Sequence, residues 1–204
     1  MLDILKIKFK GLNLLLKLLA LFYILEFSFI VLKVFDNANT IFLFTQLIFV
    51  PLFGILVLCL FYDLFATKSS TFLYTFYRGK AYKVYLLCLG LYMMPLLMLC
   101  VLISICYEPF NSLAAFFLLS SQVLLFSTLS LIIFILLSDM SITISLFILY
   151  ISAEVATFGE NNYLYHMFYM DLHQMVSFSN VSSTLVLNLI IGLLGYKVFK
   201  SIVA

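Results

Sequence analysis

Charge is what this sequence of 204 residues most lacks: only 10% of its positions carry it, and tryptophan is missing altogether. A water-soluble domain of this size needs a polar surface, and so few charges cannot supply one. Motifs that would announce chemistry are missing too. No GxxxxGK[ST] stretch is present to cradle a nucleotide, and neither GxSxG, HExxH nor a paired-carboxylate pattern occurs. The sequence therefore assigns no catalytic residue, no cofactor and no metal, and it is not read as an enzyme. Four cysteines, Cys59, Cys88, Cys100 and Cys106, lie in or at the ends of apolar runs without CxxC spacing. They read as packing residues rather than as a disulfide or metal set.

What the sequence does have is apolar length. Hydrophobic residues make up 66% of it. Runs of about 16 to 25 such residues match the roughly 20 helical residues that cross a bilayer core. Six spans are expected, at 14–34, 41–65, 84–106, 113–137, 142–158 and 182–200. The fold class is all-α: one polytopic membrane domain over 1–204, with both termini cytoplasmic. The span at 142–158 is the shortest and carries Glu154 close to its end. The first apolar run has no small-residue cleavage site behind it and reads as a retained span.

Charge placement supports that topology. With the N-terminus inside, Lys6, Lys8, Lys10, Lys17, Lys68, Arg78, Lys80, Lys83, Lys197 and Lys200 fall on the inner face, and only Lys33 falls near the outer one. This is the asymmetry that the positive-inside rule demands. Asp63 and Asp139 then sit at the inner boundary. The formal charge of +2 reflects orientation, and no nucleic-acid partner is expected.

Three segments outside the spans carry information. Residues 1–13 place Leu2, Leu5, Phe9 and Leu12 on one helical face and Asp3, Lys6 and Lys10 on another. That pattern suits an interfacial elbow helix, or a plain basic flank held by anionic lipid. Residues 68–83, KSSTFLYTFYRGKAYK, open on the N-cap residues Ser69, Ser70 and Thr71 and close on Gly79. Between them Phe72, Leu73, Phe76 and Tyr77 recur at helical spacing, as in a short amphipathic helix ending in Arg78, Lys80 and Lys83. Residues 158–181 form the longest outer connection, rich in tyrosine and methionine, and are expected to pack at headgroup level. Within it His166 and His173, seven apart, would share a helix face. Without a third ligand they read as hydrogen-bonded histidines among aromatics. Asn180-Val181-Ser182 is a glycosylation sequon close to the bilayer, a common three-residue match of little weight.

Two carboxylates fall inside spans. Glu26 lies well within the first, where charge is costly unless it faces protein or water. A substrate path, a proton relay and a buried carboxyl bonded to a neighbouring helix all suit it. Glu154 lies nearer the outer surface, within reach of it by snorkelling.

Taken together, the elbow, the six spans, the basic helix-bearing loop between the second and third, and the longer outer segment between the fifth and sixth resemble the permease subunits of ABC-2 type transporters. The most specific part is residues 68–83 followed by VYLLCLGLYMMPLL. The sequence departs from the family's loop in having Ser, Thr and Tyr where an acidic residue and a proline are often found. The resemblance implies an exporter half of a bacterial plasma membrane. Its partners would be a separate ABC ATPase subunit, a second permease (a homodimer mate or a paralogue) and membrane lipid. Ser70, Thr71, Phe72, Phe76, Tyr77, Arg78 and Lys80 would couple to the ATPase, and residues 163–175 would match the family's external helices. A hydrophobic or amphipathic substrate such as a lipid-linked compound, peptide or drug is implied. Two other readings stand beside it: a substrate-binding membrane subunit of a vitamin uptake system, and a membrane-embedded enzyme using Glu154, His166 and His173.

Overall fold

The computed structural model describes residues 13–65, 80–157, 165–171, 174 and 176–203. Among them the chain is all-helical and without strands, as its long apolar runs require: in lipid, a helix satisfies its own backbone. The six helices are α1 (Asn13–Val31), α2 (Ala38–Phe65), α3 (Ala81–Cys106), α4 (Ser112–Leu137), α5 (Met140–Thr157) and α6 (Phe178–Val203). Each is long and apolar enough to cross a membrane. Even the shortest, α5 with 18 residues, is about 27 Å long, close to the roughly 30 Å hydrocarbon core.

Each expected span is matched by one helix, with ends displaced by a few residues. The largest displacement at a helix start is that of α6, which begins at Phe178 rather than 182. This puts the sequon in its first turn, with Val181 buried. The elbow residues 1–12, and the coupling residues Ser70, Thr71, Phe72, Phe76, Tyr77 and Arg78, lie outside the described residues. Lys80 is described and stands at the N-terminus of α3.

Local chemistry marks the helix ends. Asn111 caps α4, its side chain accepting from the Ala114 amide at 3.0 Å. Ser138 ends the same helix in the left-handed region, φ 53°. Asp139 Oδ1 then accepts from the Ser141 and Ile142 amides at 2.8 and 3.1 Å, so two residues turn the chain from α4 into α5.

Helix α4 is the hub, packed against α2, α3, α5 and α6. Between membrane helices, where lipid is as apolar as leucine, close approach needs small residues. Gly192 and Gly195 supply it on α6. A Cβ at Gly195 would stand 2.8 Å from Thr128 Oγ1, and one at Gly192 would stand 3.1 Å from the Leu125 backbone nitrogen. In α2, Gly54 lies under the Phe126 ring in the same way, a Cβ there meeting it at 2.5 Å. Burial follows this plan: 67% of the central window of α4 is buried, against 11% for α1 and for α5.

Contacts between connections define one end of the bundle. Lys33 lies over the Tyr107 ring at 6.0 Å, Phe42 meets Phe110 at 5.8 Å, and Asn39 Nδ2 donates to the Gln174 carbonyl at 2.8 Å. The connections after α1, α3 and α5 therefore gather together, and we call this the loop end. At the opposite end Phe61 packs on Phe199, Phe65 on Phe134, and Lys200 over Tyr82.

Candidate functional site

Polar side chains inside a membrane bundle are costly, and what they bond to shows their purpose. Half of those buried here are serines and threonines returning a hydrogen bond to their own helix, as Ser121, Thr128 and Ser130 do. Four larger groups behave differently. Gln46 on α2, Gln122 on α4, Glu154 on α5 and Asn188 on α6 are completely buried. All four converge on one stretch of chain, residues 165–171 between α5 and α6.

That stretch has no helix of its own, so its amides and carbonyls need partners from elsewhere. The Glu154 carboxylate accepts the Met167 amide at 2.5 Å through Oε1 and the Phe168 amide at 3.3 Å through Oε2. It also accepts from the Tyr150 hydroxyl, one turn earlier on α5. Gln46 Oε1 accepts the Tyr169 amide at 2.9 Å, while its Nε2 lies 3.3 Å from the Tyr169 carbonyl. Gln122 Nε2 donates to Gln46 Oε1 at 2.7 Å and to the Met167 carbonyl at 2.9 Å. Asn188 Nδ2 donates to that carbonyl too, at 3.1 Å, and its Oδ1 accepts from the Tyr165 hydroxyl at 2.6 Å. Four helices thus clamp one peptide segment by its backbone. Met167 and Phe168, each 2% exposed, fill the space between the clamps.

The depth follows from helix geometry. Gln46 lies eight residues into α2, and Gln122 and Asn188 ten residues into α4 and α6, all counted from the loop end. At about 1.5 Å per residue these three grip the segment roughly 12 to 15 Å below the ends of α2, α4 and α6, whereas Glu154 reaches it from three residues before the end of the shorter α5, about 4 to 5 Å. Non-helical backbone at such depth is tolerated only where protein buries it or where it lines a water-filled cavity.

Four expectations change. Residues 158–181 do not simply lie at headgroup level: their described central part enters the bundle, because its amides find partners there. His166 and His173 do not meet on a helix face, since 165–171 is not helical; His173 lies outside the described residues. Nor does Glu154 snorkel, for its carboxylate points inward to three donors. The external helices that the resemblance places over 163–175 are likewise absent from residues 165–171.

Glu26 is the second carboxylate of interest. It is 5% exposed on α1, and its Oε1 accepts from the Thr45 hydroxyl of α2. Its Oε2 is buried with no partner, and so is the hydroxyl of Tyr23 one turn earlier. Glu26 is thus the carboxyl bonded to a neighbouring helix that its position allowed, with one oxygen left over.

Gln46, Gln122 and Asn188 escaped the sequence analysis. The signal was there in each: a lone amide in an otherwise apolar run, as in FTQLIF, SSQVLL and VLNLII. Among the described residues, no group of three or more His, Cys, Asp or Glu could hold a metal ion. Comparison with known proteins finds no matching family model, no matching curated protein and no matching solved structure.

Proposed function

We propose that this chain is the membrane permease half of an ATP-binding cassette exporter, carrying a hydrophobic or amphipathic substrate and driven by a separate ATPase subunit. The observation that supports it best is the clamped segment. An irregular peptide held by polar groups from four helices, deep inside an otherwise apolar bundle, suits the closed outer end of a path through the membrane. An enzyme built on Glu154 and His166 is less well favoured, because the Glu154 carboxylate already serves Tyr150 and two backbone amides. The orientation that goes with this reading is N- and C-termini in the cytoplasm and the loop end outside. That places the basic loop of residues 68–83 where an ATPase can reach it. A second permease copy would complete the path, and α1 and α5, with most of their surface uncovered, have room for it.

The mechanism implied is conformational. ATPase closure would push on residues 70–80, α2 and α3 would carry the motion, and the clamp at their far end would release the 165–171 segment. Phe72, Phe76 and Tyr77 would anchor the docking, since desolvated aromatics dominate such interfaces. Tagged protein purified from its native membrane in mild detergent tests this reading. A stoichiometric ATPase should accompany the wild type and be lost from a Phe76→Ala, Tyr77→Ala double variant that still inserts. A chain that purifies without any nucleotide-binding partner contradicts the exporter assignment.

A further inference from the structure

Helix α1 turns little of itself to the bundle. Of its residues only Glu26 and Ile30 are buried, and Glu26 is the polar one. The surroundings of that carboxyl suit an anion badly. Thr45 of α2 touches Oε1, and Oε2 is buried with no partner. The other groups within electrostatic reach are Tyr23 on its own helix and Tyr92 and Cys100 on α3. Tyr92 sends its hydroxyl away, to the Phe49 carbonyl at 2.7 Å, and Tyr23 Oη is itself buried without a partner. Among the described residues no cation acts on the carboxyl. An ionised carboxylate in so dry a place is far costlier than a neutral acid unless donors surround it. Glu154 has two backbone amides aimed at it. Among the described residues Glu26 has none.

The hydrogens near Thr45 can be counted. Its hydroxyl carries one, and two acceptors lie in reach: the Ile41 carbonyl one turn earlier on α2, at 3.0 Å, and Glu26 Oε1. With an ionised Glu26 the single hydrogen must choose between them. With a neutral Glu26 both contacts are served, because the acid supplies a second hydrogen and Thr45 Oγ1 accepts it.

We propose that Glu26 is a proton-binding site on α1: a neutral carboxylic acid that donates its hydrogen to Thr45 Oγ1, with Thr45 donating on to the Ile41 carbonyl. The chain of bonds then crosses from α1 to α2 and ends on backbone. Losing the proton would leave an anion between α2 and α3 with one hydroxyl donor and no cation. The proton therefore leaves only when α1 parts from α2 and admits a water to receive it. Proton binding and the seating of α1 become one linked equilibrium, with Glu26 as the group that ties them.

Infrared spectroscopy of the full chain tests this at neutral pH, in nanodiscs of ether-linked phosphatidylcholine, which has no ester carbonyl to mask the signal. The stretch of a protonated carboxyl lies apart from the carboxylate and amide bands. Wild type should show such a band, and Glu26→Gln should lose it. Thr45→Val keeps the acid but removes its acceptor; the band should remain and move in frequency, a readout that survives even if Glu26→Gln fails to insert. Transfer into D2O should shift the wild-type band slowly, as a sealed site requires. Identical spectra for wild type and Glu26→Gln, a band that Thr45→Val leaves unmoved, or one that shifts as soon as D2O is added would overturn the proposal. None of these readings involves an ATPase, so this site and the exporter assignment stand or fall separately.

Discussion

Among the described residues two glutamates are buried in this bundle, and they are finished differently. Glu154 on α5 spends both oxygens on its own chain, taking two backbone amides and a tyrosine hydroxyl. Glu26 on α1 spends one oxygen on Thr45 and leaves the other bare. A carboxylate with all its partners inside the protein is a structural fastening. One with an oxygen left unbonded inside the bundle is only half fastened. The contrast separates the two by completeness: Glu154 is fully bonded within the protein, and Glu26 keeps one oxygen unbonded.

Substitutions should break the comparison in that order. Glu154→Ala strands the Phe168 amide and leaves the Met167 amide only the Tyr150 hydroxyl, which keeps its bond to the Tyr165 carbonyl; with the cavity left by a fully buried side chain, roughly 3 kcal/mol of stability should go. Thermal unfolding in detergent measures it. Gln46→Leu removes the acceptor of both the Tyr169 amide and Gln122 Nε2 and should cost about 2 kcal/mol by the same assay. Asn188→Leu leaves the Met167 carbonyl with its bond from Gln122 and should cost only about 1 kcal/mol, with faster proteolysis of the 158–178 connection as a second sign. Glu26→Gln keeps a partner for Thr45 and should change stability by less than about 0.5 kcal/mol. A loss at Glu26 as large as that at Glu154 would erase the distinction between them.

How far the sequence foretold this depends on which forces were local. Six apolar runs gave six helices, because a membrane helix is specified by length and hydropathy along one stretch of chain. The turn at Ser138 and Asp139 is local too, since Asp139 bonds amides only two and three residues on. The clamp was not legible, since its meaning is non-local: Gln46, Gln122 and Asn188 are remote in sequence and become a set only when α2, α4 and α6 meet. Tyrosine and methionine in 158–181 suggested a headgroup layer. The choice between surface and interior was made by backbone amides, which every residue has and no composition reveals. Glu26 stood out as a carboxylate inside an apolar run, but that Thr45 would take only one of its oxygens depends on packing.

The most direct measurement is hydrogen–deuterium exchange of the full chain in nanodiscs, followed on the peptide covering Tyr165 to Asp171 in the wild type and in Glu154→Ala. The account predicts wild-type protection approaching that of α4 and its loss over this peptide in the variant, while α4 itself stays protected. Wild-type exchange as fast as that of an unstructured peptide would contradict it, and the clamped segment would no longer support an outer end closed from within the bundle.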